Sequence, residues 1–264
     1  MRKKRSSQTW LLPVACGLVF LGSWYALRLV GHVSAWLLPM PHEVLAALVK
    51  ERGRLLPAAL ETARGALGGF CLAGVSGVGV ALLLGVSRPA RVGLYPWLLA
   101  LQMTPVIVLT PIIMLWAGAG LPGIVTITWL ISFFPIVVNT TQGLLATDMN
   151  FVALFRMGNA SRWQEMLYLR LPSALPQLLA GLRIAATLAP VGAIFGEFMV
   201  GNSSGSSGGL GFLVYSYNTK LMIPAVFATG FASCLLGFIF VAAVSWLNWS
   251  MLHRWHDSFE PSDH

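Results

Sequence analysis

Charge is scarce in this sequence. Only 10% of its 264 residues are Asp, Glu, Lys or Arg, whereas 56% are hydrophobic and the mean hydropathy is +0.75. A soluble domain rarely carries so little charge. Acid is scarcer still, with nine Asp and Glu against 17 Lys and Arg. Lysine is confined to Lys3, Lys4, Lys50 and Lys220, and no Gly-x-x-x-x-Gly-Lys-Ser/Thr segment occurs. A P-loop is therefore excluded, so an ATP-driven role needs a separate ATPase. Three cysteines, Cys16, Cys71 and Cys234, lie inside apolar stretches without metal-ligand spacing. The histidines, His32, His42, His253, His256 and His264, form no i,i+4 pair, so no metal site is expected. The net charge of +8 does not indicate nucleic acid, because the basic residues are scattered at the ends of apolar runs.

What fills the chain is apolar sequence in runs of bilayer length. Crossing takes about 20 predominantly apolar residues. Six such runs are expected to span, at roughly 10–30, 61–86, 93–118, 122–145, 173–199 and 224–249. Backbone in lipid must satisfy its own hydrogen bonds, so the fold class is an all-α membrane protein of one domain. The first run follows Met1-Arg2-Lys3-Lys4-Arg5, as in a signal peptide. It continues to about Val30, beyond the length of an h-region, and no small-x-small site closes it. It is expected to remain as a span. Six spans put both ends on one side. That side would hold Arg2, Lys3, Lys4, Arg5, Arg88, Arg91, Arg156, Arg162, Arg170 and Arg254. The other would hold Arg28, Lys50, Arg52, Arg54, Arg64 and Lys220. The richer set marks the cytoplasm, so both termini are expected inside. Residues 41–60 read as an outer interfacial segment, with Pro41 opening a helix that has Val44, Leu45 and Leu48 on one face.

Within the spans, Gly65, Gly69, Ala73, Gly77, Ala81 and Gly85 recur every four residues. Small ridges of this kind let helix backbones approach closely. A spacing of four drifts about 40° per step, so the ridge winds and could serve more than one neighbour. Pro105 and Pro111 in the third span, Pro135 in the fourth and Pro190 in the fifth are expected to kink the helices. Polar groups in the spans are costly and hence functional leads. Gln102, Thr104, Asn139, Arg183 and Glu197 are the candidates for a translocation path. Arg183 and Glu197 are 14 residues apart, roughly 21 Å along a helix, so they cannot pair with each other. No catalytic set is present. Gly201-Asn202-Ser203-Ser204-Gly205 matches G-x-S-x-G formally but lies in a Gly/Ser-rich loop, not at a strand-to-helix elbow.

The polar stretch Thr147–Pro176 interrupts the apolar sequence and has its own organisation. Asp148 can cap a short helix ending near Gly158-Asn159, residues that tolerate a left-handed turn. A second helix can start at Ser161, and Leu171-Pro172 leads into the next span. A helix-turn-helix at the membrane face is suited to dock a soluble partner and carry that partner's motion into the membrane.

The run Asn159-Ala160-Ser161-Arg162-Trp163-Gln164, followed by Leu171-Pro172, resembles the cytoplasmic coupling loop, or EAA loop, of permease subunits of binding-protein-dependent ABC importers. Further matches follow in order: Leu38-Pro39-x-Pro41, Arg64 with Gly68-Gly69-Phe70, Thr104-Pro105, Trp116-x-Gly118-x-Gly120, Phe133-Phe134-Pro135, Gly181-Leu182-Arg183-Ile184-Ala185, Glu197 and Gly209-Leu210-Gly211. The combination is similar to the nitrate, taurine and alkanesulfonate branch, which also includes permeases for vitamin precursors. Two features depart from the pattern. The Glu-Ala-Ala triplet falls on Ala153-Leu154-Phe155, so its acid is missing, and Asn159 stands at the turn glycine.

The resemblance implies a type I ABC importer permease fold, with residues 146–172 as the coupling loop. Asn159, Ala160, Ser161, Arg162, Trp163, Leu171 and Pro172 would contact the ATPase. It further implies a cytoplasmic ABC ATPase that holds ATP and Mg, an external solute-binding protein, a second permease copy, and residence in the inner membrane. This chain itself would bind no cofactor. Two other readings stay open on the residues alone, an ion-gradient-driven secondary carrier and an intramembrane hydrolase using the serine loop. The organised loop favours the importer.

Overall fold

The structure is a computed structural model that describes residues 8–34, 36–200 and 208–252, with side chains over 12–34, 36–199 and 208–250. The basic N-terminal run, the Gly201–Gly205 loop and the tail carrying His253, Trp255, His256 and His264 lie outside the described residues. All regular structure among the described residues is helical. In chain order the helices are α1 (Gln8–Leu29), α2 (Pro41–Lys50), α3 (Arg52–Val86), α4 (Arg88–Gln102), α5 (Val106–Ala117) and α6 (Leu121–Leu145). There follow α7 (Met149–Met157), α8 (Arg162–Glu165), a π-helical segment (Met166–Arg170), α9 (Leu171–Val200), α10 (Leu210–Thr219) and α11 (Ile223–Leu252). Five helices are long and apolar enough to cross a membrane, six if the bent pair α4–α5 forms one span. This is an integral membrane protein.

The centre is a layer of three helices, with α6 between α3 and α9. The four-residue ridge of α3 makes this possible. A Cβ at Gly65 would meet Ile124, one at Gly69 would overlap Thr128, one at Gly77 would meet Ile136, and one at Gly85 would meet Leu144. The offset between partners is 59 residues at all four positions, so α3 and α6 run parallel in locked register. A contact period of four exceeds the 3.6-residue turn, so the two helices wrap right-handed to stay in contact. The ridge follows α6 along its length and, as the drift of a four-residue spacing allows, also meets other neighbours: Ala193 of α9 beside Gly65 and Met166 beside Gly85. On the other side α9 runs antiparallel, with Gly181 against Pro135 and Asn139, Gly192 against Thr128, and Gly196 against Ile124. Thr128 is fully buried between Gly69 and Gly192.

Two stretches differ from the sequence expectation. The helix expected to start near residue 61 starts at Arg52, with Glu51 alone separating it from α2. Its 35 residues are roughly 50 Å long, well over the hydrocarbon thickness, so its first turns project beyond the bilayer. There Leu55 and Ala58 pack with Leu210, Leu213 and Tyr217 of α10 and Ala225 of α11 in an outer cluster. The stretch 93–118 is two helices bent by 101° at Met103–Pro105. Pro105 has no N–H to donate and disfavours helical backbone at Thr104. Pro111, Pro135 and Pro190 sit inside continuous helices. Gly118 and Gly120 close the α5–α6 turn with φ of +89° and +123°, which accounts for that glycine pair.

The packing predicts opposite signs for two glycines of α3. Gly74 has open space around its Cβ position, whereas at Gly69 a side chain collides with α6. In thermal unfolding of the purified protein, Gly74→Ala is expected to be neutral or to stabilise by about 0.5 kcal/mol. Gly69→Ala is expected to destabilise by roughly 1–3 kcal/mol through overpacking. Equal melting temperatures would refute the close α3–α6 contact.

Candidate functional site: a two-helix loop at one membrane face

The segment between α6 and α9 folds as its capping residues dictate. The Asp148 carboxylate accepts from Asn150 N–H at 2.9 Å and starts α7. Asn159, at φ +56°, takes the left-handed turn that ends it. Ala160 N–H donates to Phe155 O at 3.0 Å across this turn. Ser161 then opens α8 with a reciprocal cap: its N–H donates to Gln164 Oε1 at 2.7 Å, and Gln164 N–H donates to Ser161 Oγ at 3.3 Å. The backbone passes through the π-helical turn before Leu171 and Pro172 begin α9.

A buried ion network holds the two helices together. Glu165 is 7% exposed. One carboxylate oxygen accepts from Arg170 Nε at 2.7 Å and lies 2.6 Å from its Nη2, and the other accepts from Arg156 Nε of α7 at 3.4 Å. Arg170 also donates from Nη1 to Leu144 O, at the end of α6, at 3.1 Å. The Glu165 carboxylate of α8 thus joins α7 to the π-helical segment, and Arg170 extends the link to α6. The sequence signalled these residues only as charges in a loop. Nothing in the local pattern marks Glu165 as the residue that joins the two helices. Met166, 2% exposed, packs with Ala81, Leu144 and Ala174 beneath the network.

The outward surface of the loop is apolar and unpartnered. Phe151 is 55% exposed, Leu154 62%, Met157 82%, Trp163 63% and Tyr168 72%. Asn159, Ser161 and Arg162 are exposed beside them, and Arg162 makes no ion pair among the described residues. Ala160, Leu171 and Pro172 are half-buried at the base. The expected contact residues therefore separate into an exposed group, Asn159, Ser161, Arg162 and Trp163, and a half-buried group, Ala160, Leu171 and Pro172.

The residues expected along a path do not form one group. Gln102 and Thr104 come together at the α4–α5 bend. They line a cavity of about 280 Å³ with Leu130, Phe134 and Pro135 of α6 and Leu188 of α9. Asn139 uses one of its amide hydrogens on its own helix, donating to Pro135 O at 2.8 Å. Arg183 is exposed on α9, on the same stripe as Ala180 and Thr187. Glu197 is 4% exposed at the far end of α9, away from the two-helix loop, bonded to Thr62 and Gly211.

The chain belongs to the family described as binding-protein-dependent transport system inner membrane component, whose model matches residues 75–253. It is 36% identical over 246 residues to the formylaminopyrimidine transport permease protein ThiX of Halalkalibacterium halodurans, covering 91% of this chain and 94% of that one. Identity to the riboflavin transport system permease protein RibX of Chloroflexus aurantiacus is 33%, covering 94% and 90%. Identity to the putative aliphatic sulfonates transport permease protein SsuC of Bacillus subtilis is 28%, covering 98% and 94%. The chain is thus a permease subunit of an ABC importer for a small solute, in the nitrate, taurine and sulfonate branch.

The ion network generates a prediction. Removing one partner of a buried pair leaves the other charge uncompensated, at a cost of roughly 3–5 kcal/mol, whereas an apolar replacement of the pair can be near neutral. Glu165→Leu should therefore lower the melting temperature more than the double variant Glu165→Leu with Arg170→Met. A double variant less stable than the single one would show that Glu165 and Arg170 act independently.

Proposed function

We propose that the loop of residues 146–172 is the seat of a cytoplasmic ABC ATPase, which binds ATP and Mg on its own chain and drives this permease. The observation that carries the reading is the exposed patch around Trp163 on a loop whose interior is locked by Glu165. A soluble partner gains apolar contact area there without first paying to order the loop. Asn159, Ala160, Ser161, Arg162 and Trp163 make the contact, and Leu171 and Pro172 deliver the resulting movement to α9. ATP-driven closure of two ATPases would then switch the pathway from inward-facing to outward-facing. An external binding protein would deliver the solute.

A second copy of the chain completes the pathway in this reading. The lipid-length helices leave large apolar side chains uncovered, Leu115 and Trp116 of α5 among them. Gln102 and Thr104 at the bend, Asn139 and Arg183 are the polar groups we assign to the path. The chamber at the bend suits a small organic solute. Both termini lie in the cytoplasm and the membrane is the inner one, an orientation supported by Arg156, Arg162 and Arg170 in the loop.

Loss of a large interface anchor commonly costs about 2 kcal/mol or more, roughly a 30-fold weaker contact. Trp163→Ala should leave the permease in the membrane and cut ATPase retained on inverted vesicles, normalised to permease, by at least tenfold. Right-side-out vesicles should retain none. Undiminished retention by the variant would remove Trp163 from the contact, and retention on right-side-out vesicles would reverse the orientation.

A further inference from the structure

The outer end of the molecule holds a second buried carboxylate, which no transport step described above uses. Glu197 Oε2 accepts from Thr62 Oγ1 of α3 at 2.8 Å and from Gly211 N–H of α10 at 2.9 Å. Leu210 N–H donates to Thr62 Oγ1 at 2.8 Å. No cation pairs with Glu197 among the described residues.

These contacts replace a helix cap. The first amides of a helix lack partners within it, and a side chain at the N-cap usually supplies one. The N-cap of α10 is Gly209, which has no side chain. Its amides find Glu197 and Thr62 instead, on two other helices, and the carboxylate also opposes the positive end of the helix dipole. The glycines are a steric requirement of this seat. A Cβ at Gly209 would overlap the Glu197 carboxylate, and one at Gly211 would overlap Ile194 O. The Gly209-Leu210-Gly211 motif thus reads as the socket for Glu197. At the other end of α10, Tyr217 O–H donates to Glu51 Oε2 at 2.7 Å, at the α2–α3 junction. Burial first, and then that bond, raise the phenol above its ordinary value, so it stays a donor.

We infer that Glu197 is a positioning residue, a latch that fixes α10 to α9 and α3, and not a ligand for the transported solute. The outer end of α9 and all of α10 then move as one body. The importer reading enters only in what this body serves: a rigid outer surface for the binding protein to act on. The latch itself is testable without transport, so its failure would leave that reading untouched.

The test uses the full chain in nanodiscs, with Cys16, Cys71 and Cys234 replaced by Ser and a reporter Leu213→Cys on the buried face of α10, where Leu213 is 8% exposed. Glu197→Ala should raise the rate of reporter alkylation by a water-soluble maleimide about tenfold. Glu197→Gln, which keeps an acceptor oxygen in place, should stay within about twofold of the parent. A control reporter, Leu84→Cys, fully buried at the opposite end of α3, must stay unreactive. If Glu197→Ala opens that control site as well, Gly209→Ala decides, since it displaces α10 with the carboxylate intact. It should again expose residue 213 and not residue 84. Alkylation of the deciding variant at the parental rate overturns the latch. So does a Glu197→Gln rate equal to that of Glu197→Ala.

Discussion

The close approach of α6 to its two neighbours is the contact on which the rest of the molecule depends. Lipid tails are as apolar as leucine, so burying hydrocarbon against hydrocarbon gives these helices little reason to associate in a bilayer. Surface matching does it instead. Glycine on α3 opposes side chains of α6 along a parallel, right-handed wrap, and glycines of α9 oppose α6 from the other side. Every other element hangs from this triple layer. The loop carrying α7 and α8 joins α6 to α9, and the outer cluster is built on the projecting end of α3.

At each end of the layer, one buried carboxylate fastens a short helix to the long ones. Glu165 binds Arg170 and Arg156 and so closes the two-helix loop, while Arg170 reaches the Leu144 carbonyl near the end of α6. Glu197 seats the start of α10 against α9 and α3. The chemistry differs in a way that suits each place. The Glu165 network is an ion cluster at a polar face, whereas Glu197 is held by a hydroxyl and an amide, with no cation beside it among the described residues. Each bonds a short helix to its longer neighbours, and the α4–α5 bend is the sharpest irregularity in a span-length stretch among the described residues.

Much of this was legible in the sequence because it rests on local rules. The apolar runs, the Asp148 and Ser161 caps, and the left-handed Asn159 each follow from a few adjacent residues. What the sequence did not disclose depends on contacts far along the chain. Pro105 announced a kink but not a 101° break, whose size is fixed by how α5 returns along α6. The first turns of α3 pack against α10, about 150 residues away, a contact the local sequence does not show, so residues 41–60 read as one interfacial segment and the span as starting near 61. Glu197 was legible as a costly group in a span, and that signal was read as a path residue. Its true neighbours, Thr62 and Gly211, lie 135 and 14 residues away, and only the fold brings them together.

The central claim is that the loop between α6 and α9 acts as a rigid lever. Spin labels at the exposed positions Met157 and Tyr168, one on each arm of the loop, measure it directly by electron–electron resonance in the permease–ATPase complex. Within one subunit, the account predicts a single narrow distance that is unchanged when ATP is added. If two copies pair as proposed, the distance between their loops should change at the same time. A distance within one loop that broadens or shifts on ATP binding would contradict the account.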